Sequence, residues 1–118
     1  MEKFTVLFYE TRTGRKPAEE FLLDLEPKMM AKMARVIQLL AVNGSNCGNH
    51  TLKELGDKIF ELRAKVGSDI SRVLYFFAVG KLIILINGFI KKTQKTPNRE
   101  IERAKVYRKD YLERLDRK

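Results

Sequence analysis

Ile59-Phe60-Glu61-Leu62-Arg63-Ala64-Lys65-Val66 sets Phe60, Leu62 and Ala64 in alternation with Glu61, Arg63 and Lys65. A period of two is the pattern of a strand with one packed and one polar face. Gly67-Ser68-Asp69 then reads as a tight turn, and Arg72 to Val79 as the next strand. Gly80-Lys81 reads as a two-residue hairpin turn. Leu82 to Phe89 is almost wholly apolar, which predicts a central strand buried on both faces. Strands joined by such short turns run antiparallel. Arg63 and Arg72 therefore fall on neighbouring strands of one predicted hairpin.

The rest of the chain arranges itself around that sheet. Leu52 to Leu55 predicts a short strand before it, and Phe4, Val6 and Phe8 alternate with Thr5, Leu7 and Tyr9 in an N-terminal one. Pro17 suits the first position of a helix carrying Ala18, Phe21, Leu22 and Leu25 at helical spacing. Met29, Met30, Met33, Val36, Ile37 and Leu40 form a second apolar stripe that stops at Asn43-Gly44. The two helices, joined at Pro27, predict a helical hairpin. Thr96-Pro97 reads as an N-cap followed by proline at the first helical position. A terminal helix follows, docking by Ile101, Ala104, Tyr107, Tyr111 and Leu115 and leaving Arg99, Arg103, Lys105, Arg108 and Lys109 largely outside. With no repeat or linker in the sequence, residues 1–118 read as a single α+β domain.

Composition narrows the function. The 118 residues carry 24 Lys+Arg against 15 Asp+Glu, a formal net charge of +9. The excess is lopsided, since residues 51–118 hold 17 basic and 9 acidic groups. A one-sided basic surface attracts polyanions, because phosphate binding releases counterions. The longest apolar run is far shorter than the ~20 residues of a membrane span, and the N-terminus lacks a secretory pattern. A single cysteine, Cys47, forms no internal disulfide, and with His50 as the one histidine no four-ligand zinc site is available. A reduced, cytoplasmic setting without metal or cofactor is expected.

The motifs exclude more than they name. There is no phosphate-binding glycine loop, no nucleophile elbow and no facing pair of carboxylates. Cys47 and His50 read as ordinary loop residues. What remains is a group of cations on the sheet: Arg63, Arg72 and the Lys91-Lys92 strand end, with Lys53, Tyr75 and Thr93 nearby. Arginine and lysine can stabilise the extra charge of a pentacoordinate phosphate, and RNA can supply its own 2′-hydroxyl nucleophile. Such a reaction needs a proton acceptor and a donor, roles that would fall to Lys, Tyr or Glu. The alternative reading pairs Arg63 with a cross-strand acid and leaves the lysines to solvate a strand end.

Four segments resemble a known family. Phe60-Glu61-Leu62-Arg63, Ser71-Arg72-Val73-Leu74-Tyr75-Phe76-Phe77, Asn87-Gly88-Phe89-Ile90-Lys91-Lys92-Thr93-Gln94-Lys95-Thr96-Pro97 and Glu100-Ile101-Glu102-Arg103-Ala104 are similar to the phage-derived host-inhibition branch of the RelE/HigB toxins, members of type II toxin–antitoxin modules. The resemblance implies a RelE-like fold: a twisted, mainly antiparallel sheet, an N-terminal helical hairpin and a C-terminal helix. It implies a ribosome-dependent mRNA endonuclease that works without metal by 2′-hydroxyl attack, with a helix-turn-helix antitoxin as partner. Arg63 and Arg72 match the family's sheet arginines as phosphate or transition-state stabilisers. Lys91 and Lys92 match its basic strand end as phosphate-binding or proton-transfer groups. Lys53, Tyr75, Thr93, Lys95, Arg99 and Arg103 are the expected RNA-binding residues. The alternative is a RelE/ParE-like binding protein acting on gyrase or nucleic acid without cleaving RNA.

Overall fold

The computed structural model describes residues 4–44, 53–91 and 96–116. Its elements are β1 (Thr5–Phe8), α1 (Pro17–Leu23), α2 (Pro27–Asn43), β2 (Lys53–Glu54), β3 (Phe60–Val66), β4 (Asp69–Ala78), β5 (Leu82–Lys91) and α3 (Asn98–Asp116). The strands form one sheet in the order β1-β5-β4-β3-β2. Only β1 and β5 pair in parallel; the other pairs are antiparallel. The expected α+β class is the observed one, and the arrangement is compatible with a RelE-like fold.

Alternation along the strands divides the interior into two layers. Leu62, Ala64, Val73, Tyr75, Ile83 and Leu85 pack against Ala18, Leu25, Met29, Met33, Val36 and Leu40 of the helical hairpin. Leu74, Phe76, Ile84 and Ile86 pack with Tyr9, Ile59 and Ala104, beside Tyr107 and Tyr111 of α3. The hairpin thus covers one face and α3 the other. Strand β5, apolar on both sides, is buried from Ile83 to Asn87. Burying each such Leu, Ile or Met contributes about 1.5–3 kcal/mol.

Two glycines let the layers close. A Cβ on Gly88 would lie 2.4 Å from the Phe21 ring, so the bare backbone of β5 is the seat on which α1 rests. Gly44 ends α2 at φ 58, and a Cβ there would meet the Phe4 ring at 2.6 Å.

Some boundaries differ from the sequence reading. Strand β4 begins at Asp69, because Val66 pairs with Asp69 and only Gly67-Ser68 make the turn. The next loop has three residues, since Ala78 pairs with Leu82; Gly80 and Lys81 both take positive φ there. Strand β5 runs to Lys91, and β2 is described only at Lys53–Glu54. The ladder shifts between Leu74 and Tyr75, which pair with Asn87 and Leu85, so both Ile86 and Asn87 serve the α3 side. Helix α3 starts at Asn98: Pro97 supplies the first accepting carbonyl, to Glu100 and Ile101. Thr96 therefore lies one residue ahead of the cap it was expected to form.

Candidate functional site

The period of β3 turns Glu61 and Arg63 away from the helical hairpin and toward α3. Arg63 pairs with Arg72 on β4, and Arg72 pairs with Phe89 on β5. Three strands thus place two guanidiniums and an aromatic ring in one row. The Arg72 guanidinium carbon lies 6.0 Å from the Phe89 ring centroid, within cation–π range.

Glu61 holds the row together. Glu61 is 2% exposed, and its carboxylate accepts two hydrogen bonds and faces a second guanidinium. Arg63 Nε donates to Oε2, and Thr96 donates its hydroxyl to Oε1. Arg72 Nε lies 3.9 Å from Oε2. A buried carboxylate without such partners would be strongly disfavoured; here two cations and a hydroxyl satisfy it. The group retains an excess of one positive charge.

The two arginines differ sharply. Arg72 has no accessible surface. Burial pushes its guanidinium below the ordinary value, Glu61 opposes that shift and Arg63 adds to it. Guanidinium is so basic that Arg72 stays charged. The Arg63 side chain is 35% exposed and is gripped at its Nε by Glu61. Arg63 is therefore a cation at the surface whose inner edge is fixed by a buried acid. Such a group can meet a phosphate without reorganising.

The start of α3 is fixed to the same patch. Besides the Thr96–Glu61 bond, Asn87 Nδ2 donates to Glu100 Oε1 at 3.2 Å. Arg99, the second residue of the helix, is exposed. Arg103 leans on Tyr107, its guanidinium carbon 5.6 Å from the ring centroid. Arg108, expected outside, is half-buried over Phe76 at 5.4 Å.

Several expected site residues fall elsewhere. Tyr75, expected to bind RNA, is 1% exposed on the opposite face of the sheet, stacked on Phe60 and edge-on to Phe77. Alternation from Arg72 sends residue 75 to the other side, so it shares no surface with Arg63. Arg72, expected to touch phosphate, lies beneath the accessible surface in this conformation. The backbone of Lys91 ends β5, and that of Lys53 begins β2 opposite Glu61. Lys92, Thr93 and Lys95 lie outside the described residues, as do Cys47 and His50.

Sequence reasoning missed Glu61, Thr96, Asn87 and Phe89. Glu61 carried a signal: an acid two residues from Arg63 shares its strand face, and register counting puts Arg72 beside them. Thr96 carried the wrong signal, because Thr-Pro before a helix resembles a cap. Among the described residues no group of His, Cys, Asp and Glu could hold a metal ion, and no helix is long and apolar enough to cross a membrane.

Residues 20–109 match the family model described as phage-derived protein Gp49-like, a stretch spanning α1 to α3 and all of the Glu61 cluster. No curated protein matches the chain.

Proposed function

The chain belongs to the Gp49-like family, a phage-derived, toxin-like family of the RelE/HigB superfamily, and from that premise we propose that it is a toxin that cleaves mRNA on the ribosome. We place it in the host-inhibition branch, with a helix-turn-helix antitoxin encoded beside it. The observation that carries this reading is Arg63, a surface guanidinium fixed by the buried Glu61, which also holds Thr96 at the entry to the cationic helix α3.

In the proposed reaction, a ribose 2′-oxygen attacks the adjacent phosphorus. The new P–O2′ bond forms as the P–O5′ bond breaks, leaving a 2′,3′-cyclic phosphate and a 5′-hydroxyl. The 2′ proton passes to a base, and the departing 5′-oxygen takes a proton from an acid. Arg63 neutralises the equatorial phosphate oxygens as charge accumulates there. The family resemblance assigns phosphate binding or proton transfer to Lys91 and Lys92. Arg72 acts as a positioning residue, holding Glu61 and through it Arg63. Arg99 and the neighbouring helix cations attract the RNA backbone in a salt-dependent way.

Induction of Arg63→Ala should leave growth unaffected and reduce cleavage of ribosome-bound mRNA by roughly 10²–10³. Primer extension on mRNA from induced cells measures this directly. Full toxicity in Arg63→Ala would remove the site assignment. Complete burial of Arg72 favours a second reading, a protein of this fold that binds gyrase or nucleic acid without cutting RNA. Intact mRNA together with DNA damage after induction would select that reading.

A further inference from the structure

The two edges of the described sheet are finished differently. At one, β2 is described at Lys53 and Glu54, both charged. At the other lies β1, where the stretch from Phe4 to Tyr9 carries no charge and no proline, and its pairing with β5 runs without a bulge. Charges, prolines and bulges are the usual means by which an edge refuses another strand.

Parity settles what β1 presents. The amides of Thr5 and Tyr9 donate to the Lys81 and Leu85 carbonyls, each at 2.9 Å, so the odd residues face β5. The N–H and C=O groups of Val6 and Phe8 therefore point away from the sheet. Among the described residues no backbone group bonds them from that side. Between them lies Leu7, 43% exposed. A hollow of about 290 Å³ opens at the Phe8 end of the edge, lined by Phe8, Glu10, Tyr111, Arg114 and Leu115.

The chemistry of this edge selects its occupant. A polyanion or a charged peptide finds no counter-charge between Phe4 and Tyr9. The row of open groups holds only Val6 and Phe8, so it is filled by an antiparallel strand with two outward residues at the same spacing and an apolar residue between them. β1 is itself such a strand. With a two-fold axis through Leu7, Val6 of each copy faces Phe8 of the other, and both pairs exchange N–H···O=C bonds. Leu7 then stands in the close, non-hydrogen-bonded position opposite Leu7 of the second copy, and each covers the other. An axis through Val6 or Phe8 leaves half of these bonds unmade. Neutrality matters too, because two copies of a chain of net charge +9 repel each other. Strands β5 and β4 separate this edge from the strand of Arg63.

We propose that β1 is a self-association edge, by which two copies of the chain join antiparallel about Leu7 into one continuous sheet. Thr5 of the second copy comes opposite Tyr9, near the hollow at the Phe8 end. The strand is short, so the contact is weak and reversible and is governed by concentration. Arg63 stays open in both copies. The proposal stands whether or not the protein cleaves RNA.

Sedimentation velocity of the full chain tests it, at about 0.3 M salt to screen the repulsion between copies and over a roughly hundredfold range of concentration. A monomer–dimer equilibrium is expected. Amide hydrogen exchange followed by NMR should show protection of Val6 and Phe8 rising with concentration, while Thr5 and Tyr9, already bonded to β5, change little. Leu7→Lys sets like charges across the axis and should weaken association at least about tenfold. Because Leu7 is already partly exposed, the thermal midpoint of the dilute variant should stay within about 5 °C of the wild type. Should the variant fail to fold, the exchange pattern of the wild type decides. Three results would each overturn the proposal. A chain monomeric at every concentration would leave the edge to a strand of another protein. A dimer indifferent to Leu7→Lys, or one that protects other amides and not Val6 and Phe8, would lie on a different face.

Discussion

Glu61 and Asp110 have the same kind of partners and do different work. Each carboxylate faces one hydroxyl and two guanidiniums. Glu61 takes Thr96, Arg63 and Arg72. Asp110 takes Tyr9 at 2.6 Å, Arg12 at 2.7 Å and Arg114 at 2.7 Å. The Asp110 cluster lies at the rim, where the Arg12 side chain is 53% exposed and water screens the charges. Its effect is mechanical: it clips α3 to the end of β1, where Tyr9 stacks on Tyr107 at 4.8 Å. The Glu61 cluster sits between the sheet and the segment entering α3, with one arginine wholly enclosed. There the carboxylate cannot be exchanged for water, so it both neutralises Arg72 and fixes Arg63. Depth, not composition, separates a clip from a site.

Removing each acid tests that distinction. Glu61→Ala should cost about 3–5 kcal/mol of stability, because it removes the buried carboxylate that lies between the enclosed Arg72 and Arg63. Urea unfolding measures it; a loss of about 1–2 kcal/mol would place Glu61 in the same class as Asp110.

The rim cluster should show itself through alkali. Burial, followed by the Asp110 hydrogen bond and charge, raises Tyr9 to about 12 from the ordinary 10.0. Its stabilising contribution is complete below pH 10, where both folded and unfolded chains keep the phenol protonated. It is lost as pH rises from about 10 to about 12, on the order of 2–3 kcal/mol at most. Thermal midpoints across that interval should fall faster for the wild type than for Tyr9→Phe.

Asp110→Asn should cost about 1–2 kcal/mol, because it weakens charge-assisted bonds that are partly open to solvent. Although burial works against it, the bonds from Tyr9 and Arg12 and the charges of Arg114 and Arg12 hold the Asp110 carboxyl below its ordinary value. The wild-type advantage over Asp110→Asn should therefore shrink as pH falls below about 4, and an advantage that grew there would refute the assignment.

Thr96→Val should have the smallest effect, about 1 kcal/mol for one hydroxyl bond. It still sharpens the contrast. Thr96 touches Glu61 and not Arg63, so a loss of Arg63-dependent cleavage beyond the stability change would mean that α3 helps to aim the arginine. An equal, purely structural loss in Thr96→Val and Tyr9→Phe would make the two clusters alike.

Much of the sheet was legible because strand alternation is local. Phe60 to Val66 declared its faces residue by residue, Leu82 to Phe89 read as a strand buried on both, and the neighbouring strands of Arg63 and Arg72 followed from the short turn. Asp69 to Ser71 were hidden because Asp and Ser favour turns, whereas here pairing with Val66, Lys65 and Ala64 carries them into β4. Thr96 misled for a similar reason: its local preference is to cap a helix, and Glu61 outcompetes that role from 35 residues away. Tyr75 joined the site reading through its neighbours in the motif, although its parity in the strand sends it to the hairpin side.

By itself the sequence determined the strands, the helical hairpin, the terminal helix and the concentration of positive charge after residue 50, because periodicity and composition act over a few residues. Tertiary structure alone decided that α3 covers the face opposite the hairpin, and that Arg72 is enclosed while Arg63 stays open. Those outcomes depend on which layer arrives above each strand. Desolvation of a charge is a property of everything packed around it, not of the residues beside it in the chain.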